Sequence, residues 1–119
     1  MRCSCLMPHM HARGKEMTDQ LMFPDGRKEI ALRVPTYNID WQIGYGIATP
    51  VALPKGTTIR VDATFENSPA RRGNPDPAAD VYGGIQTWGE MMNPWFGVVI
   101  DRRVDPGTAI LTRAAQVGG

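Results

Sequence analysis

Histidine and cysteine are scarce in this chain, charge of either sign is not in excess, and each shortage excludes something. Only two histidines, His9 and His11, occur in 119 residues, so no site built from three imidazoles can form within the chain. Its two cysteines, Cys3 and Cys5, lie too close together for an easy mutual disulfide, and no third is present to pair with either. A disulfide-stapled scaffold is therefore excluded, and both thiols are expected in an irregular opening segment, residues 1–7. The formal net charge of +1 provides no field that would draw nucleic acid or a membrane surface. No apolar run approaches the roughly 20 residues that cross a bilayer, and Met1 to Met7 is too short and mixed to be a secretory hydrophobic region. Helical periodicity is missing too, since no stretch keeps apolar residues at helical spacing for three turns.

What is present is punctuation. Ten prolines and thirteen glycines divide the chain into short runs, which points to an all-β domain. Gln20 to Phe23 leads into Pro24-Asp25-Gly26, a turn whose proline presets φ and whose glycine accepts a positive one, and Arg27 to Val34 resumes the strand. There Ile30, Leu32 and Val34 alternate with Glu29, Ala31 and Arg33, so one face is expected to be buried. Tyr37 to Ala48 reads as the next strand, with Ile39, Trp41, Ile43, Tyr45 and Ile47 on one side. Thr58 to Glu66 follows the turn Pro54-Lys55-Gly56-Thr57, with Ile59, Val61, Ala63 and Phe65 on one side. Trp95 to Ile100 closes the set. Apolar faces of this kind require a facing sheet, so an antiparallel, jelly-roll-like β-sandwich over residues 8–104 is expected, followed by a flexible tail over 105–119. Because the residues that promise chemistry begin at His9, the sandwich is expected to be incomplete, lacking earlier strands.

The His9-Met10-His11 spacing carries the chemistry. On a strand both imidazoles project from the same face and Met10 from the other, where an apolar side chain suits a core. Such a pair can hold one metal ion between its ring nitrogens. Taken alone, His-x-His is more often two ordinary histidines, and Met91-Met92 is more often core filler than a ligand pair. A thioether joined to two imidazoles would select a soft, redox-active ion such as Cu(I).

Pro8-His9-Met10-His11-Ala12-Arg13-Gly14-Lys15 together with Gln86-Thr87-Trp88-Gly89-Glu90-Met91-Met92 resembles the C-terminal domain of the copper type II, ascorbate-dependent monooxygenases. This family includes the peptidylglycine α-hydroxylating and dopamine β-monooxygenases. The bacterial branch is closer, through Pro-Asp-Gly-Arg at 24–27, Val-Pro at 34–35, Asp-Trp-Gln at 40–42, Leu-Pro-Lys-Gly-Thr at 53–57 and Asn-Pro-Asp-Pro at 74–77. The similarity spans about Pro8 to Ile100.

The resemblance implies that His9, His11 and Met91 ligate the copper that meets dioxygen, and that Met92 is packing. It also implies ascorbate as reductant, a second copper in an upstream domain of the same protein, an organic substrate hydroxylated at a C–H bond, and an extracytoplasmic location. Candidate substrate-pocket residues follow by position: Asn93, Trp95 and Met7. Met7 stands where peptide-processing relatives carry a carboxylate-binding arginine, which argues against a peptidylglycine substrate. Trp95 replaces a tyrosine and offers a donor but no acceptor.

Two other readings stand beside the oxygenase: a copper-binding or carrier sandwich without catalysis, and an interaction module in which Trp41, Trp88 and Trp95 lie in the core or contact carbohydrate. The polar, proline-rich stretch 67–80 is expected to be a long surface loop, either a lid beside the metal or a plain connection.

Overall fold

The computed structural model describes residues 1–110, in which six strands form two antiparallel sheets stacked as a β-sandwich. The strands are β1 (Arg2–Met10), β2 (Gly14–Met22), β3 (Lys28–Val34), β4 (Tyr45–Ala52), β5 (Thr58–Phe65) and β6 (Met92–Val99). One sheet has the order β4-β1-β6 and the other β3-β2-β5. The two proline-glycine turns behave as their residues dictate. Gly26 and Gly56 adopt φ of 88° and 90°, and Phe23 and Arg27 close the first turn with a 2.8 Å backbone bond.

Residues 2–7, expected to be irregular, instead form most of β1, the central strand of its sheet. The period-two pattern is hidden by a bulge: Cys3 pairs with Val98 but Cys5 with the very next residue, Gly97, leaving Ser4 over. That extra residue places Cys3 in the core and Cys5 in solvent, although their spacing alone would put both on one face. Beyond the bulge Leu6, Pro8 and Met10 are buried while Met7 stays exposed and His9 half-buried. A second bulge corrects the reading of β3. Asp19 pairs with Leu32 and Gln20 with Ile30, so Ala31 is skipped. Ile30 is thereby turned out to solvent while Ala31 and Leu32 pack on the core.

The expected strand over Tyr37–Ala48 begins only at Tyr45. Asn38 takes the chain out of strand geometry ahead of it. Its side chain accepts from the Asp40 amide at 2.9 Å and its carbonyl from the Trp41 amide at 3.0 Å, a local turn that competes with sheet pairing. Trp41 and Ile43 are consequently exposed. In β5 the alternation holds, with Ile59, Val61, Ala63 and Phe65 turned inward. The last apolar strand also begins earlier than its composition suggested, at Met92. The stretch expected to be a flexible tail starts with a short helix, α1 (Pro106–Ile110). The Asp105 carboxylate accepts from the Gly107 amide at 2.9 Å, the usual role of aspartate at a helix start. The rest of that expected tail, 111–119, lies outside the described residues.

The core is in two parts. Cys3, Leu6, Leu21, Phe23 and Leu53 form one cluster, and Met10, Met17 and Tyr37 the other. Between Met17 and Leu21 on the inward face of β2 sits Asp19, only 1% exposed. Neither carboxylate oxygen has a hydrogen-bond partner, and burial pushes its pKa up. Cys3, beside it, is raised as well, by burial first, then by Cys5 and more weakly by Asp19.

Candidate metal centre

The chain leaves the first sheet for the second through a single tight turn, His11-Ala12-Arg13-Gly14, closed by the Gly14 amide on the His11 carbonyl at 2.9 Å. Only glycine fits the last position, because a Cβ there would stand 2.6 Å from Met10 Cβ and 3.1 Å from the His11 carbonyl oxygen. The turn fixes where the two histidines face. His9 is half-buried on the outer face of β1, and His11, one residue past the strand, is 3% exposed. Their rings meet edge to face with centroids 5.2 Å apart.

Antiparallel pairing brings the late methionines to the same end. His9 is opposite Asn93 and Met10 opposite Met92, and one step further the His11 amide donates to the Met91 carbonyl at 3.3 Å. The Asn93 amide donates to Met91 Sδ at 3.2 Å. The strand register thus puts a thioether and two imidazoles, far apart in sequence, at one end of one sheet.

Backbone support at this end comes from Tyr37. Its hydroxyl accepts from the Met10 amide at 2.9 Å and donates to the Met10 carbonyl at 2.7 Å. It serves the peptide between the two histidines as a neighbouring strand would. Burial raises the Tyr37 pKa, with the Met10 bond acting the other way, so the phenol keeps its proton and its donor role.

The imidazoles themselves differ. His9 Nδ1 lies 2.5 Å from Gln42 Oε1, and Gln42 Nε2 donates to the Ile39 carbonyl at 2.8 Å. With the amide nitrogen committed to a carbonyl, Oε1 can only accept, so Nδ1 of His9 is the donor in this bond and Nε2 is left for another partner. His11 Nδ1 is buried and has no hydrogen-bond partner. A polar atom left in that condition costs about 1–3 kcal/mol, and such an atom is a reason to look for a ligand.

Among the described residues no group of three or more histidine, cysteine, aspartate or glutamate side chains converges. The donors gathered at this end are two imidazoles and a thioether, a set of the kind that suits a soft ion. Comparison with protein-family models, with curated proteins and with solved structures finds no match.

Other expected positions sort clearly. Met7 and Trp95 pair across β1 and β6 on the exposed outer face, one step from His9 and Asn93, and Trp95 is 60% exposed. Asn93, a substrate-pocket candidate, directs its amide to the Met91 sulfur. Met92, expected as packing, is 38% exposed at the start of the edge strand β6. Trp41, Trp88 and Trp95 are all exposed, so none is a core residue. A depression of about 750 Å³ lies beside the turn that joins the sheets, between Pro75–Asp80 and Val81–Gly89.

The loop expected as a lid is fastened to that turn. Arg13, 2% exposed, donates to Asn67 Oδ1 and to the Asp76 carbonyl. Arg71 reaches back to the carbonyls of Gly14 and Tyr37. Gln42, Tyr37 and Arg13 carried no signal of these roles in the sequence, since each acts across a tertiary contact and belongs to no local spacing.

Proposed function

We propose that this chain is the dioxygen-activating copper domain of an ascorbate-dependent monooxygenase, with His9, His11 and Met91 as the ligands. The observation that carries the reading is the register of β1 and β6, which sets Met91 against His11 and Asn93 against His9. The donor chemistry fits copper on three counts: the free Nε2 of His9, the unpartnered ring nitrogen of His11 and a neutral sulfur.

In the overall reaction one oxygen atom of O2 enters a substrate C–H bond and the other leaves as water. Two electrons from ascorbate and two protons would complete the water, and the resemblance implies a second copper, held in another domain of the same protein, as the relay. Bound copper would supply the one-electron redox chemistry that dioxygen requires. The protein's own residues do the positioning. Gln42 fixes the His9 tautomer, Asn93 orients the Met91 sulfur, and Tyr37 holds the Met10 peptide between the imidazoles. Met7 and Trp95 offer an uncharged, apolar surface beside His9, which favours a neutral substrate over a carboxylate.

Cu(I) titration against a competing chelator tests the site. His9→Ala and Met91→Leu are each expected to weaken Cu(I) binding at least tenfold, and unchanged affinity in both would remove the site as drawn. Gln42→Leu should weaken it about tenfold because His9 loses the acceptor that orients its ring, with Gln42→Glu retaining most of it because a carboxylate still accepts from Nδ1. The carrier reading is separated by oxygen uptake: given Cu(I), ascorbate and the longest natural form of the protein, substrate-dependent uptake supports the oxygenase. Silence across a broad panel of neutral substrates supports the carrier.

A further inference from the structure

We infer that Arg13 is a positioning residue that holds the Met91 segment against the histidine strand. This inference rests on the metal site proposed above and concerns a residue whose side-chain hydrogen bonds go to Asn67, Asp76 and Trp88 rather than to the three ligands.

Arg13 is the third residue of the turn between the sheets and its side chain is almost wholly buried. A buried guanidinium ordinarily pairs with a carboxylate, yet among the described residues Arg13 forms no ion pair. Its donors go to neutral oxygens instead, and those oxygens belong to two different loops. Nε donates to Asn67 Oδ1 at 2.8 Å, one terminal nitrogen to the Asp76 carbonyl at 3.0 Å, and the other to the Trp88 carbonyl. The fork shape of the group allows it to hold oxygens in different directions at once.

The Trp88 contact connects Arg13 to the methionine. Trp88 lies three residues before Met91 on a loop that is closed on itself by bonds from the Glu90 amide to the Tyr82 carbonyl and from the Gly84 amide to the Glu90 carbonyl. Just before Trp88, the Thr87 carbonyl accepts from the Ala12 amide at 3.3 Å, and just after the loop the Met91 carbonyl accepts from the His11 amide at 3.3 Å. Both backbone bonds are long. Between them sits the guanidinium, a charged donor whose hydrogen bonds are roughly twice as strong as neutral ones. The distance between Met91 and His11 is therefore set largely by how firmly Arg13 grips Trp88.

The proline-rich loop 67–80 has a part in this. It supplies the other two oxygens and so fixes the guanidinium plane, with Asn74 reinforcing Asn67 Oδ1 at 3.0 Å. The loop acts as a brace for the arginine. Arg71 fastens the same loop to Gly14 and Tyr37 without touching the Trp88 loop, which makes it the natural control.

The test compares the wild-type chain with Arg13→Met, Arg13→Lys and Arg71→Ala. Two readouts are used: copper–sulfur scattering in the X-ray absorption of the Cu(I)-loaded protein, and hydrogen exchange of the His11 amide without metal. Arg13→Met is expected to lose the sulfur scattering while keeping two imidazole ligands, to bind Cu(I) about tenfold more weakly, and to exchange the His11 amide at least tenfold faster. Arg13→Lys, which can reach one carbonyl, should fall between, and it serves as the test variant if Arg13→Met does not fold. Arg71→Ala should retain both signatures. Sulfur scattering and slow exchange persisting in a folded Arg13→Met or Arg13→Lys protein would overturn the inference, as would equal losses in Arg71→Ala. Absence of sulfur scattering in the wild type would instead remove the metal site itself, and the His11 exchange rates would then judge Arg13 alone.

Discussion

Asp19→Leu is expected to raise the free energy of unfolding by about 1–3 kcal/mol at neutral pH, because it removes a buried polar group that has no partner. Leucine has the same number and branching of side-chain heavy atoms, so the core need not be rebuilt. The wild-type carboxyl is fully enclosed, neither oxygen is hydrogen-bonded, and its neighbours across β2 are Leu32 and Val61. Burial raises its pKa above that of the unfolded chain, so between the two values the folded state binds the extra proton. Stability therefore falls as the pH climbs through that window, with the penalty complete once the folded carboxyl ionises. Urea unfolding of wild type and variant at pH 3.5 and pH 7.5 measures this. The difference should be clearly smaller at the acid value, where the carboxyl is more fully protonated in both states. A pH-independent difference would mean that Asp19 finds a partner in solution.

Tyr37→Phe is expected to cost about 2–6 kcal/mol, since it strips partners from two buried backbone groups at once, each worth about 1–3 kcal/mol when left unpaired. The lost hydroxyl serves both the amide and the carbonyl of Met10, while the ring remains to fill its place beside Met10 and Met17. The loss should thus appear as a lower urea midpoint with an unchanged slope. Because Met10 separates the two histidines, the same variant should weaken Cu(I) binding, and a stability loss under 0.5 kcal/mol would show that water replaces the hydroxyl.

The fold class was legible in the sequence because proline and glycine mark the turns and β5 keeps strict alternation. Where the reading failed, the cause was local. A single skipped residue, Ser4 in β1 or Ala31 in β3, reverses the face of everything on one side of it, and no alternation count contains that information. At Tyr37–Gly44 the apolar alternation was real, but Asn38 and Asp40 outweighed it with a turn. The histidine pair was visible from its spacing. Its approach to Met91 is carried by the resemblance and by the observed register, whereas Gln42, Tyr37 and Arg13 act over separations that local patterns do not encode. Asp19 has Met17 and Leu21 two residues to either side on the same face, so alternation does mark its face as the inner one, but nothing local shows that its carboxyl is left without a partner there.

The junction between the sheets has a mechanical consequence. His9 belongs to one layer of the sandwich, while His11 occupies the four-residue crossover that leads straight into the other. A ligand gripping both rings would act as a rivet at a hinge, and sliding of one layer over the other would strain its bonds. The angle between the layers and the occupancy of the rivet would then be two readings of a single equilibrium.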